Sequence, residues 1–200
     1  MASPLIIVLL GCSGSGKDTQ ARFLIEKFGL EFISSGNLLR ARKQVDDFTG
    51  RKIASQIDKG KLAGTPTVFH MWMAKLEQFK NNSQLNGFVI EGSPRRLIEA
   101  QFLDEALEWY EWQQNFHVVL VNVSQAESER RLLARAKKEG RVDDSPAAIK
   151  ARWQFFQEDV FPVIDYYRAK GALVEVDGQQ SPEQVFGAIL QVLRPWVLNF

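Results

Sequence analysis

Leu5-Ile-Ile-Val-Leu-Leu10 runs directly into Gly11-Cys-Ser-Gly-Ser-Gly16-Lys17-Asp18-Thr19. Six apolar residues without alternation suit a strand covered on both faces, and the pattern over 17–28 that follows is helical. The turn between them satisfies G-x-x-x-x-G-K in a strand-to-helix context, which is a phosphate-binding loop. Glycines let the backbone curl so that successive N–H groups point inward, the helix adds its positive end, and Lys17 reaches terminal phosphates. Gly14, Ser15, Gly16, Lys17, Asp18 and Thr19 are therefore candidate ATP contacts. A dinucleotide fingerprint anchored on Gly14 and Gly16 would need glycine at position 19, where Thr19 stands. Asp18 occupies the place where Ser or Thr commonly supplies a magnesium ligand, so it is expected to point outward or to meet Mg2+ through water.

Outward from this loop, short apolar runs alternate with long helical patterns, the signature of parallel strands joined by crossover helices. Strands are expected at 5–10, 31–33, 87–90, 117–121 and 173–176. Helices are expected at 17–28, 36–46, 50–59, 66–80, 95–112, 125–138, 146–170 and 182–193. The fold class is α/β with a five-stranded parallel sheet. Two stretches break the rhythm: about 36–66, which holds only helices, and 136–145, a polar connection containing glycine.

The chain has 200 residues, 45% hydrophobic and 24% charged, which fits one globular domain and excludes disordered and collagen-like classes. Lys plus Arg at 25 against Asp plus Glu at 24 leaves a net charge of +1, so no global field favours nucleic acid or a membrane surface. An anion site must be local. One cysteine, Cys12, permits no internal disulfide and suits the cytoplasm. The run at 5–10 is too short to span a bilayer. His70, in an apolar helical stretch, His117, opening a strand, and the tryptophans at 72, 109, 112, 153 and 196 are read as packing residues.

The order of further motifs resembles the adenylate kinase family of nucleoside monophosphate kinases, from the loop nearly to the C-terminus. Gly11–Gln20 is similar to that family's loop, with Asp18 in place of a glycine. Ile33-Ser-Ser-Gly-Asn-Leu-Leu-Arg40 resembles the segment opening its monophosphate-binding flap, and Gly60-Lys-Leu62 the turn ending it. Gly87-Phe-Val-Ile-Glu-Gly-Ser-Pro-Arg95 resembles its Gly-Phe-x-x-Asp-Gly-Phe-Pro-Arg strand and turn. Glu129-Arg-Arg-Leu-Leu-Ala-Arg135, Gly140-Arg-Val-Asp-Asp144 and Ile149-Lys-Ala-Arg152 are similar to a helix end, a short lid and an arginine-bearing helix.

That resemblance implies a three-layer α/β/α P-loop fold with core 1–35, 67–135 and 146–200, a helical flap at 36–66 and a short lid at 136–145. Gly36, Gly60, Gly64 and Gly140 are its candidate hinges. It implies the reaction ATP + AMP = 2 ADP, with Mg2+, in a cytoplasmic monomer that binds neither nucleic acid nor membrane. The implied catalytic residues are Lys17, Arg95, Arg135, Arg141 and Arg152. Arg131, Arg135 and Gln180 join the ATP contacts. Ser35, Gly36, Arg40, Lys61, Leu62, Gly92, Arg95, Glu99, Arg141 and Arg152 would hold the monophosphate, while Thr19 and Glu91 would meet magnesium or its water. Positioning and charge neutralisation suffice for such chemistry, because the attacking phosphate oxygen is already anionic.

Three positions depart from the family pattern: Asp18, Ser93 for phenylalanine, and Glu99 for the glutamine that reads adenine. A glutamine amide donates and accepts, whereas a carboxylate only accepts and suits an edge with two donors, such as that of guanine. Gln101, two residues on, is an alternative reader. GMP, UMP or CMP as acceptor, and a nucleotide-binding module with weakened turnover, are the alternative functions. A shikimate- or gluconate-type kinase would need a hydroxyl acceptor and a base, and would not predict Arg40 together with the Gly92–Arg95 turn.

Overall fold

Along β1 (Leu5–Leu10) the side chains alternate between two cores. Leu5, Ile7 and Leu9 enter one, and Ile6, Val8 and Leu10 enter the other. A strand buried on both faces must be apolar at every position, which is why no alternation shows in the sequence. The computed structural model describes residues 3–57, 62–139 and 145–197. Four further strands join β1: β2 (Glu31–Ser34), β3 (Gly87–Glu91), β4 (Phe116–Asn122) and β5 (Leu173–Asp177). All pairings are parallel, in the order β2-β3-β1-β4-β5. The expected five-stranded α/β architecture is thus observed.

The intervening helices are α1 (Lys17–Phe28), α2 (Ser35–Arg42), α3 (Phe48–Ile57), α4 (Thr65–Lys80), α5 (Leu97–Trp109), α6 (Gln125–Glu139), α7 (Pro146–Phe155), α8 (Phe161–Ala169) and α9 (Pro182–Val197). One core collects α1 and α9 through Ala21, Leu24, Val185 and Ile189. The opposite core collects α4, α5 and α8 through Trp72, Leu76, Leu103 and Val163. Among the described residues no helix is long and apolar enough to cross a membrane.

Four expectations shift. The helix expected over 146–170 is interrupted by a wide turn at Phe156–Val160, where the Phe161 N–H donates to the Phe156 carbonyl. Pro162 has no N–H and its ring crowds the carbonyl one turn back, and the wider turn accommodates it. The helix expected from Arg95 begins at Leu97, because Pro94 and Arg95 form the turn that precedes it. His70 is exposed rather than packed: Val68, Trp72, Leu76 and Phe79 define the buried face of α4, and position 70 lies opposite them. Trp109, at 78% exposure, is also no core residue, whereas Trp72 and Trp112 are buried. His117 is buried in β4 as expected.

Candidate active site

All five strands end on the same edge of the sheet, because they are parallel, and the segments leaving them share that edge. Gly11 leaves β1, Ser35 leaves β2, Gly92 leaves β3 and Gly178 follows β5. Binding sites of open α/β sheets form in the crevice at such carboxyl ends.

The loop after β1 is shaped by what surrounds it. Gly11 has φ +145°, and a Cβ there would lie 2.5 Å from the Val121 carbonyl oxygen. Gly14 has φ +79°, with Leu132 and the Ser128 carbonyl 3.0 and 3.1 Å from its would-be Cβ. Gly16, at φ +96°, sits at the start of α1. Lys17 Nζ donates to the carbonyls of Gly11 (2.8 Å) and Cys12 (2.7 Å) and to Ser15 Oγ (3.2 Å). Burial pushes the Lys17 ammonium down from its ordinary pKa, with the nearby Glu91 carboxylate opposing. Burial likewise raises Glu91, opposed by Lys17, and Ser34 Oγ donates to Glu91 Oε2 at 3.3 Å. Asp18 is exposed, as expected for a carboxylate beside a phosphate loop, and Thr19 is half-buried.

α6 buttresses this loop through Ser128, which carries no motif, and through Arg131. Ser128 Oγ donates to the Ser13 carbonyl at 2.7 Å. Arg131 donates to Glu127 Oε1 (2.6 Å), the Ser15 carbonyl (3.3 Å) and the Gly178 carbonyl (2.9 Å). Glu127, flanked by Arg130 and Arg131, is held well below the usual carboxylate range, at a pKa of about 2. Arg131 therefore fastens the loop to the turn after β5. Only the Glu127-to-Arg131 spacing of four residues hinted at this pairing. Gln180 is exposed, its amide 3.4 Å from Asp177. Arg135 and Arg152 are both half-buried, on α6 and α7.

A second part of the site is a cleft between α2, the turn after β3, α4 and α5. Leu39, Leu62, Ala63 and Val68 give it an apolar wall. Its polar side carries Ser35, Ser93, Arg95 and Glu99, with Gly36 and Gly92 between them. A Cβ on Gly36 would lie 3.2 Å from the Arg40 guanidinium, and one on Gly92 would lie 3.2 Å from that of Arg95. The same Gly92 position is 3.9 Å from the Gly36 amide nitrogen, so both forks lie over neighbouring glycines. Arg40 also donates to Asn37 Oδ1 at 2.5 Å. Ser34 caps α2, accepting from the Asn37 N–H, which orients the segment carrying Ser35, Gly36 and Arg40.

Glu99 is 2% exposed in the first turn of α5, and its Oε2 accepts from the Arg95 N–H at 2.7 Å. Gln101 is exposed, so Glu99 is the position that faces the cleft. Ser35 and Ser93 hydroxyl oxygens lie 2.6 Å apart, and Trp72 Nε1 donates to Ser35 Oγ at 3.0 Å. The polar role of Trp72 was missed from sequence, where it counted as packing, and Ser93 was noted there only as a departure from the family's phenylalanine. Lys61 and Arg141, with Gly60 and Gly140, lie outside the described residues.

Comparison with known proteins supplies the remaining finding. Residues 9–172 match the family model described as "Adenylate kinase". The chain is 35% identical over 188 residues to an adenylate kinase of Stenotrophomonas maltophilia strain R551-3, covering 94% of this chain and 98% of that protein. It is 36% identical over 187 residues to one from Xanthomonas campestris pv. campestris strain 8004, covering 94% and 98%. Against one from Lachnospira eligens it is 33% identical over 213 residues, covering 94% and 99%.

Proposed function

The chain belongs to the adenylate kinase family, and from that premise we propose that it transfers the γ-phosphoryl group of ATP to AMP, yielding two ADP. The observation that carries this reading is the shared sheet edge. The Lys17 loop leaves β1, and the cleft lined by Arg95, with Arg40 beside its Gly36, is built from the segments leaving β2 and β3, so a donor and an acceptor phosphate would meet above adjacent strands.

The chemistry follows from charge. Two polyanions repel, and the attacking oxygen of a monophosphate is already a nucleophile, so no base is required. Among the described histidines, His117 is buried in β4 and His70 is exposed on α4, so neither is needed. Loop N–H groups and Lys17 hold the donor phosphates. Arg40 and Arg95 hold the acceptor phosphate as bidentate forks, a geometry lysine cannot reproduce. Arg135 and Arg152, with Arg141, supply the remaining counter-charge. Fixed positive groups of this kind act on charge as it develops, and each is worth on the order of 3 kcal/mol in a dry site. Gln180 and Arg131 flank the ATP end, and Leu62 closes the acceptor side, while Lys61 joins it only as the family resemblance implies. The stretches 36–66 and 136–145 are read as a flap and a lid that exclude water during transfer, a gating for which the adenylate kinase lid is itself a standard illustration.

The donor set fits magnesium. Among the described residues no group of three or more His, Cys, Asp or Glu side chains could cage a metal. Mg2+ is instead held by one or two carboxylates plus substrate phosphates and keeps its waters. Glu91, at the end of β3 with the Lys17 ammonium nearby, together with Thr19, suits such a hydrated ion. When bound it neutralises charge on the donor phosphates. The reading takes the protein as a cytoplasmic monomer.

A coupled assay with ATP, Mg2+ and AMP, UMP, CMP or GMP tests the function. AMP-dependent formation of two ADP per turnover is expected. Tight ATP binding without transfer to any of the four would leave a nucleotide-binding module and overturn the reading.

A further inference from the structure

From sequence, Glu99 alone argues for a base edge with two donors, because a carboxylate cannot donate. The cleft changes that count. Glu99 Oε2 accepts from the Arg95 N–H, which fixes the carboxylate in the cleft wall with further accepting capacity towards a ligand. The same cleft is lined by Ser35 and Ser93, 3% and 4% exposed, whose oxygens are 2.6 Å apart.

Proton counting on this pair gives a definite result. An indole N–H only donates, so Trp72 uses a lone pair of Ser35 and none of its protons. The two hydroxyls carry two protons, and their mutual hydrogen bond consumes one, whichever oxygen supplies it. The other proton has no protein partner among the described residues. Both residues line the cleft, so that remaining O–H has the cleft beside it.

We infer that Ser93, acting with Ser35 and Trp72, is a base-selecting residue of the acceptor site: the hydroxyl pair donates to N1 of adenine while Glu99 accepts from the 6-amino group. Adenine offers a donor beside an acceptor on that edge, and the cleft offers the complement, divided between two side chains. Guanine presents the reverse order at these positions, a carbonyl oxygen beside an N–H. The inference rests on AMP as acceptor and names the residues that choose it. Arg95 is the rival donor in the same cleft, and the test separates it.

The test uses binding, measured by calorimetry on the full chain, with AMP and 1-deaza-AMP, which lacks the N1 acceptor. The wild-type protein is expected to bind AMP about tenfold more tightly, the size of one hydrogen bond of roughly 1.4 kcal/mol. Ser35→Ala or Ser93→Ala alone leaves one hydroxyl with a free proton and retains part of that ratio. The double variant is expected to bring the ratio to about one. If orphaning the Trp72 indole unfolds the double variant, adding Trp72→Phe removes the unpaired N–H and restores the comparison. Equal binding of the two nucleotides by the wild type, an undiminished ratio in the double variant, or tighter binding of GMP than AMP each overturns the inference. Phosphoryl transfer is followed separately. A normal binding contrast without turnover overturns the kinase reading and leaves the base-selecting role standing.

Discussion

Arg131 Nη2 lies 2.9 Å from the carbonyl oxygen of Gly178, joining α6 to the turn after β5, while its Nη1 reaches the Ser15 carbonyl. The guanidinium thus ties the phosphate loop to the turn after β5. Arg131→Ala is expected to raise the KM for ATP about tenfold, as loss of one or two charge-assisted hydrogen bonds would. Its Tm is expected to fall by about 2–4 °C, equivalent to about 1 kcal/mol for a chain of this size. Steady-state kinetics and a thermal melt check both. A fall in kcat with unchanged KM and Tm would instead place the side chain on the transferring phosphate.

Lys17 Nζ is held by the carbonyls of Gly11 and Cys12 at the point where the terminal phosphates are proposed to bind. Lys17→Ala is expected to lower kcat by about 10²–10³-fold, the loss seen when one fixed electrostatic donor is removed. The KM for AMP should change little, because the acceptor cleft does not use this residue. Near-wild-type kcat would show that the loop does not bind the donor.

Arg40 and Arg95 sit over neighbouring glycines of the acceptor cleft. Replacing either with alanine is expected to raise the KM for AMP about 10–100-fold, the equivalent of one charge-assisted hydrogen-bonded contact. The KM for ATP should stay within about twofold in the same variants. Initial rates with each substrate varied in turn distinguish this from a general loss of fold, which would disturb both.

His117 is held by burial at a pKa of about 4, below its ordinary 6.5, with Nε2 2.9 Å from Asn115 Oδ1. Its neutral form is the one the fold accommodates. The unfolded chain takes up a proton below pH 6.5 while the folded one does not until about pH 4. Stability from this group is therefore complete above pH 6.5 and is lost progressively down to about pH 4. The loss is on the order of 2 kcal/mol, or about 4–8 °C in Tm. A His117→Gln variant should show a correspondingly flatter Tm profile across that window, and an identical profile would exclude the residue as its source.

The parallel sheet was legible because a doubly covered strand must be apolar at every position, as Leu5–Leu10 is. The phosphate loop was legible because its backbone demands glycine where φ is positive, at Gly14 and Gly16. Helix ends were less so: the Glu99 carboxylate accepting from the Arg95 N–H and the wide turn before Pro162 both depend on geometry that a periodic pattern does not encode. His70 and Trp109 read as packing residues because they sit among apolar neighbours in sequence, yet the helix turns them away from the core.

Local backbone demands and one-dimensional patterning determined the fold class and the loop, because each is a property of consecutive residues, and the order of motifs along the chain carried the resemblance to the family. What only the tertiary structure decided is which distant groups share partners. Ser35 and Ser93 are 58 positions apart, and Arg131 is 116 from Ser15 and 47 from Gly178. A hydrogen bond needs its atoms within about 3 Å, and for such pairs only the closure of the sheet and its helices brings them there.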